Sequence, residues 1–408
     1  MAESIPRIVF VMTGACGATG GVAAVNVQVL RALSRLAGAS RIDLSVLSFT
    51  ERVSDRPPFL PASVEYHAFA GRKGAMAKAT LGYALRRPVF FFDYLRLALP
   101  VLPLVALGWG RAIVFAHGQE YWKDIRWTDR LTLRSASLVV ANSHFTLRKM
   151  RNAVGEMRAV ACPLGLPEQL PLNDELSSGP QGPLELRACD GRDRLLGERV
   201  LLLVGRVESR ERGKGHEEML AVLPELLSRF PDVQLVFAGP GDDRSRLTRV
   251  ADRLRVSHAV FMPGYMEPQM LAALYRRCYA FTMPSRQEGF GLVYLEAMNF
   301  AKPCLGCWDD GAEDVIVHGQ TGHLVRDPKD RTEVAAALSD LLADPAKATQ
   351  MGLRGFELLR SRFTAEHFRA RVIQHLEPFL NVGAGATING TVPLHSEGRQ
   401  ADTDRTGV

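Results

Sequence analysis

Short apolar runs recur along the chain, each closed by a glycine-bearing or polar turn and followed by a stretch with helical spacing. In the first half these runs are RIVFVM (7–12), IDLSVLSF (42–49), AIVFAHG (112–118) and SLVVANS (137–143). In the second they are RVLLLVGR (199–206), VQLVFAGPG (233–241), AVFMPGY (259–265), AFTMPSR (280–286) and KPCLGCWD (302–309). Strands that are apolar on both faces and alternate with helices predict an α/β protein with parallel sheets covered on both sides. Ligands of such sheets bind beyond the carboxyl ends of the strands, so the turns after these runs are where chemistry is expected. Residues 168–198 lose the periodicity and gather Pro, Gly, Ser and Asp, which reads as linker. The resulting plan is a first domain over 1–170, a linker over 171–198 and a second domain over 199–362. A helix over 363–383 is expected to cross back to the first domain. The polar stretch 384–408 has the composition of a disordered tail.

A length of 408 residues agrees with two cores. The net charge of +6 is unevenly spread, with 21 Lys and Arg against 11 Asp and Glu in residues 1–170 and 29 against 33 in the remainder. A basic first half suits an anionic partner. Basic residues are not interleaved with aromatics as nucleic-acid binding requires, so nucleic acid is not expected. Residues 71–99, GRKGAMAKATLGYALRRPVFFFDYLRLAL, mix cations with large apolar side chains and point to an anionic membrane surface, or equally to a helix pair with a solvated basic face. The run 97–110 is shorter than a span needs and is broken by Pro100 and Pro103. The start of the chain lacks the pattern of a signal peptide. Six scattered cysteines, Cys304 and Cys307 among them, suit reduced thiols in a cytoplasmic setting.

The densest chemistry lies in PSRQEGFGLVYLEAM (284–298). Glycines bracketing Phe290 permit a tight turn, and the helix formers after Gly291 predict a helix N-terminus there, a natural anion site. Glu288 then stands at the mouth of that site and Glu296 one to two turns along the helix. This spacing suits a polyhydroxylated, phosphate-bearing ligand, or two unrelated solvated glutamates. In VGRVESRERGKGH (204–216), Arg206 at a strand tip and Lys214 between glycines form a candidate diphosphate clamp, although Arg210 and Arg212 show that the loop is generally basic. It is not a Walker A motif, and GACGATGG (14–21) is not a dinucleotide fingerprint. His117 and Asn142 fall at strand tips facing the same cleft, and Ser143 is placed to cap the helix after it.

Together these segments resemble the retaining GT-B glycosyltransferases of family 4 (group 1), over most of residues 5–380. The motifs are PSRQEGFGLVYLEAMNFAKPCLG, VGRVESRERGKGH, GAEDVIVHGQTGHLV and ANSHFTLRKM. The resemblance implies two Rossmann-like domains whose parallel sheets face a central cleft, an acceptor-binding domain followed by a nucleotide-sugar-binding domain. It implies transfer of a hexose from a UDP- or GDP-sugar to a hydroxyl, without cofactor or metal. Glu288 and His117 would contact the sugar, Arg206 and Lys214 the diphosphate, and Glu296 the ribose. Gly289, Phe290, Gly291, Leu292 and Val293 would line the sugar–phosphate, with Tyr265 and Met266 near the base and Gly20 and Gly21 approaching from the other domain. HGQEYWKD (117–124) is similar to transferases that build bacterial exopolysaccharide or lipopolysaccharide on lipid-linked intermediates, which suggests peripheral attachment to the inner face of a membrane. A soluble transferase acting on a small sugar or sugar phosphate shares these motifs. A nucleotide-sugar epimerase or hydrolase and a non-catalytic nucleotide-sugar-binding protein are the other readings. CLGCWDD (304–310) departs from the family pattern and leaves specificity open.

Overall fold

A computed structural model describes residues 5–17, 20–118, 125–168 and 183–380. The expectations for residues 119–124 and for the tail 384–408 lie outside the described residues.

The first sheet holds β1 (Arg7–Met12), β2 (Asp43–Ser48), β3 (Glu65–Ala68), β4 (Val89–Phe92), β5 (Arg111–Ala116), β6 (Leu138–Ala141) and β7 (Ala159–Ala161) in the order 3-2-1-4-5-6-7. Every adjacent pair is parallel. Around the sheet run α1 (Gly21–Gly38), α2 (Lys73–Ala84), α3 (Leu102–Ala106), α4 (Trp127–Ser135) and α5 (His144–Val154). Strand order reverses between β1 and β4, which opens a crevice at their carboxyl ends. β4 corrects the reading of residues 71–99. Its VFFF is a central strand with Phe90, Phe91 and Phe92 at most 1% exposed, so these apolar residues face the core rather than a membrane.

The segment read as linker is also partly regular. β8 (Glu185–Arg187) and β9 (Asp193–Leu195) form an antiparallel hairpin, joined through Ala188 to Phe261 of the second sheet. That sheet comprises β10 (Val200–Val204), β11 (Gln234–Ala238), β12 (Val260–Gly264), β13 (Ala280–Thr282), β14 (Cys304–Cys307) and β15 (Gly322–Val325) in the order 12-11-10-13-14-15, again all parallel. Its helices are α6 (His216–Arg229), α7 (Arg244–Arg253), α8 (Pro268–Arg277), α9 (Leu292–Asn299), α10 (Arg331–Ala343) and α11 (Pro345–Arg362). Both cysteines of CLGC are buried in β14 as free thiols.

The last helix, α12 (Ala365–Leu380), returns to the first domain and packs along α1. Phe368, Val372, Leu376 and Phe379 form its buried stripe, each side chain stabilising by about 1.5–3 kcal/mol, and Phe368 meets Phe115 of β5 edge-on at 6.3 Å. Where the chain crosses, Leu166 donates to the Phe363 carbonyl at 2.7 Å. Arg369, 4% exposed, is the charged pin of this contact. Its guanidinium donates to Gln28 of α1 at 2.9 Å, to Glu366 at 2.8 Å and to Glu168. Arg369→Met strands the buried Gln28 acceptor, whereas Glu168 and Glu366 keep Arg31 and Arg35, so a loss of about 1–3 kcal/mol is expected. The midpoint of urea unfolding reads it; an unchanged midpoint would show that the pin contributes nothing.

Candidate active site

The two sheets present their carboxyl ends to each other, and the turns there come into contact. The Glu288–Gly291 turn lies at the centre. Its backbone is clamped from the loop after β14: Glu288 N–H donates to Asp310 Oδ1 at 2.8 Å, and Gly311 N–H donates to the Glu288 carbonyl at 2.9 Å. Gly291 takes φ +87° and caps α9, a conformation that disfavours any residue with a Cβ. Phe290 is buried, 6.1 Å ring to ring from Phe363. The helix therefore starts at Leu292 as the sequence implies, with its N-terminal N–H groups and positive dipole end at the turn. Leu292 and Val293 remain partly accessible there.

Glu288 keeps an accessible surface, and among the described residues nothing hydrogen-bonds its carboxylate. Desolvation raises its pKa, opposed by Lys214 and Arg206 and reinforced by Glu211. Glu296 accepts from the buried Tyr275 hydroxyl at 2.8 Å, and desolvation raises its pKa too. One of its acceptor positions is thus occupied from within the domain.

Arg206 and Lys214 are brought together as expected, but around a carboxylate that the motif gave no reason to single out. Arg206 donates to Glu211 and lies 3.6 Å from Glu208, while Lys214 Nζ stands 3.8 Å from Glu211. A diphosphate approaching these cations must displace Glu211. Gly264 ends β12, and Tyr265 and Met266 follow it, Tyr265 largely exposed and Met266 packed partly on the core.

From the first domain, the His117 carbonyl and the Asn142 side chain reach this turn. A Cβ built on Gly289 would fall 2.3 Å from His117 O and 3.1 Å from Asn142 Nδ2. The His117 ring bonds the Asp93 backbone, and its Nε2 is shielded with no partner among the described residues. A proton held on the other ring nitrogen by the Asp93 backbone would leave Nε2 as a lone-pair acceptor. Desolvation pushes the ring down to about 4, which keeps it neutral near pH 7. Gly20 caps α1 at φ +105°, and a Cβ added to either Gly20 or Gly21 would meet no described atom within 4 Å. The loop before them is tied by Glu51, which accepts from Ala15 N–H at 2.9 Å and Gly17 N–H at 2.8 Å.

Two acidic residues of the site, Glu211 and Asp93, escape sequence reasoning, and a third, Asp310, enters it only as part of the specificity loop CLGCWDD. Asp310 is fully buried, with its pKa raised by desolvation and then by Glu288; the double aspartate of WDDG is its only signal. Glu211 and Asp93 give none. Asp93 closes β4, where its Oδ2 accepts from Thr13 N–H at 2.8 Å, Thr13 Oγ1 at 2.5 Å and Asn26 at 2.6 Å, while its buried Oδ1 has no partner among the described residues. Desolvation lifts its pKa from 3.8 to about 6. The folded state thus retains a proton that the unfolded chain has lost between those values. The associated stability is present below pH 3.8 and is lost as the pH rises through about 6. Asp93→Asn keeps an acceptor for the three donors without that loss. Its melting temperature relative to wild type is expected to climb from pH 4 to pH 7, by about 1–3 kcal/mol in stability. A pH-independent difference would refute the raised pKa.

Residues 193–357 match the family model described as Glycosyl transferases group 1. The chain is 31% identical over 261 residues to the GDP-mannose-dependent alpha-(1-6)-phosphatidylinositol monomannoside mannosyltransferase of Mycolicibacterium smegmatis, covering 60% of this chain and 64% of that relative's length. It is 25% identical over 339 residues to the alpha-D-kanosaminyltransferase of Streptomyces kanamyceticus, covering 76% and 84%. Sucrose-phosphate synthase from Thermosynechococcus elongatus superposes with a TM-score of 0.69 over 92% of this chain and 99% of that one, at 20% identity. The match to the group 1 glycosyl transferases lies over the second domain, and the two facing parallel-sheet domains have the GT-B fold.

Proposed function

We propose that the protein transfers a hexose, with retention, from a UDP- or GDP-sugar to a hydroxyl of a lipid-linked or polysaccharide intermediate. The observation that carries this reading is the Glu288 carboxylate. It is desolvated, hydrogen-bonded to no other described residue, set beside Lys214 and Arg206 at the start of α9, and faced across the domain contact by His117. Such a carboxylate is ready to accept hydroxyls of a sugar whose diphosphate lies on the cations. Charge on the departing diphosphate is taken by Lys214, Arg206 and the helix N-terminus, with no divalent cation required. His117 Nε2 accepts from a sugar hydroxyl. A departing phosphate oxygen takes the acceptor proton, so Glu288 positions the sugar instead of forming a glycosyl ester.

The mannosyltransferase relative, whose name specifies GDP-mannose and a phosphatidylinositol mannoside, supports a GDP-sugar and a lipid-linked acceptor. Exposed Leu85, Leu107 and Trp127, in the domain that carries Arg86, Arg87 and Arg130, support peripheral contact with an anionic membrane. No helix among the described residues is long and apolar enough to cross one.

Thermal shifts with UDP, GDP, ADP and their hexose conjugates, in EDTA, test the donor. A ligand at 100 times its dissociation constant adds about 2.7 kcal/mol. Stabilisation by one nucleotide family is expected, and none at all would remove the reading. The anomeric coupling constant of the product decides retention. Flotation with phosphatidylserine vesicles at low salt decides the membrane contact.

A further inference from the structure

The first turn of α5, in the acceptor-side domain, touches the Glu288 turn and the loop behind it at several independent points. Ser143 Oγ and Thr146 Oγ1 both donate to the Gly289 carbonyl, at 2.6 and 3.1 Å. Ser143 meanwhile caps its own helix by accepting from Thr146 N–H at 2.9 Å. The backbone N–H groups of His144 and Phe145 donate to the two carboxylate oxygens of Asp314 at 2.8 and 2.9 Å, and His144 Nδ1 lies 2.7 Å from Oδ1. A carboxylate of the second domain thus neutralises the positive end of a first-domain helix. Further along α5, Lys149 pairs with Asp309 at 2.7 Å and Arg148 pairs with Glu313.

The segment that receives these contacts, residues 309–314, is the same one that holds Glu288. Asp310 takes the Glu288 N–H and Gly311 donates to the Glu288 carbonyl, four and three residues before Asp314. A short helical turn over Gly311–Asp314 joins the two functions rigidly. Glu288 is therefore fixed from its own domain through Asp310 and from the other domain through Gly289, and the two supports meet at α5.

We infer that Asp314 is a positioning residue: by capping α5 it couples engagement of the two domains to the placement of Glu288. Separation of the domains frees the Gly289 carbonyl and the 309–314 segment together, and the sugar-contacting carboxylate loses its setting. The nucleotide-contacting groups Arg206 and Lys214 lie outside this linkage. Donor binding is accordingly preserved in the separated state while chemistry is not, which limits wasteful hydrolysis before an acceptor is engaged.

The chemical part of this inference rests on the transferase reading; the mechanical part does not. Asp314→Asn places an amide N–H against a backbone N–H and removes the charge. Small-angle scattering of this variant is expected to show a larger radius of gyration than wild type. Calorimetric affinities for UDP and GDP should stay within about twofold. Release of nucleoside diphosphate from UDP-glucose and GDP-mannose, assayed side by side, should fall at least about tenfold at saturation. Thr146→Val, nearly isosteric and keeping the backbone N–H that Ser143 accepts, should lose a few-fold in turnover with the same unchanged nucleotide affinity. Wild-type scattering in Asp314→Asn, or a fall in nucleotide affinity that matches the fall in turnover, would overturn the coupling. If the wild-type protein binds neither UDP nor GDP, the transferase reading fails, and the scattering arm alone still decides whether Asp314 holds the domains together.

Discussion

Glu288→Gln is expected to reduce transfer by at least about 100-fold while leaving the fold intact, since misplacing a reacting sugar by an ångström costs that much. The substitution keeps the shape of the side chain and removes only its charge. Nothing among the described residues depends on that charge for a hydrogen bond, because the clamp on the turn acts through the Glu288 main chain. The carboxylate is desolvated and its pKa is raised, so its ionised form is a cost to the folded state. An amide removes that cost, and the melting temperature of the variant should equal or exceed that of wild type above neutral pH. Activity and stability should therefore move in opposite directions. A combined loss of both would mean that Glu288 is a structural residue, and near-normal transfer would remove it from the site. Stability is read by thermal unfolding and activity by single-turnover transfer.

Gly289→Ala is the second large effect expected. A methyl group at this position meets the His117 carbonyl oxygen at 2.3 Å, a backbone atom at the tip of a buried strand that cannot swing aside. Something must move, and the softest coordinate is the separation of the two domains. A displacement of about 1 Å at the sugar site is enough for a loss of about 100-fold in turnover. The second domain itself is undisturbed, so nucleotide affinity should be retained. Wild-type turnover would show that the domains do not approach this closely during catalysis. A collapse of nucleotide binding would show that the glycine serves the second domain alone.

Much of this arrangement is legible in the amino-acid order, and what is hidden has a common cause. Continuous apolar runs mark the central strands because parallel strands covered on both faces leave no polar alternation. Gly291 and the helix formers after it mark the start of α9, since both signals are local. β4 is concealed because VFFF sits among arginines and leucines whose composition suggests a surface, and only pairing with β1 and β5 reveals a core strand. The β8–β9 hairpin passes for linker because its strands are three residues each and half exposed, with stability drawn from contact with Phe261 far along the chain.

The site shows the same division. Residues whose role is carried by their own turn, such as Glu288, Lys214 and Gly291, stand out by spacing. Residues whose role is to hold a distant partner do not. Asp310 acts on a residue 22 positions away, Asp314 on one 170 away and Asp93 on Thr13, 80 positions away. Their one-letter context is that of ordinary loop aspartates. Pairings of this kind are properties of the folded topology, and a single sequence carries no local trace of them.

The return of α12 to the first domain also sets an order of events during synthesis. The first sheet is complete once β7 has been made, yet the helix that covers α1 and meets Phe115 is among the last parts of the described chain. Until residues 365–380 leave the ribosome, Gln28 lacks its guanidinium partner and α1 lacks the helix that packs along it. The second domain, whose strands and helices are contiguous from β10 to α11, has no such wait. The half that is translated first is therefore the half that finishes folding last, and separately expressed residues 1–168 should bind hydrophobic dyes that the full chain excludes.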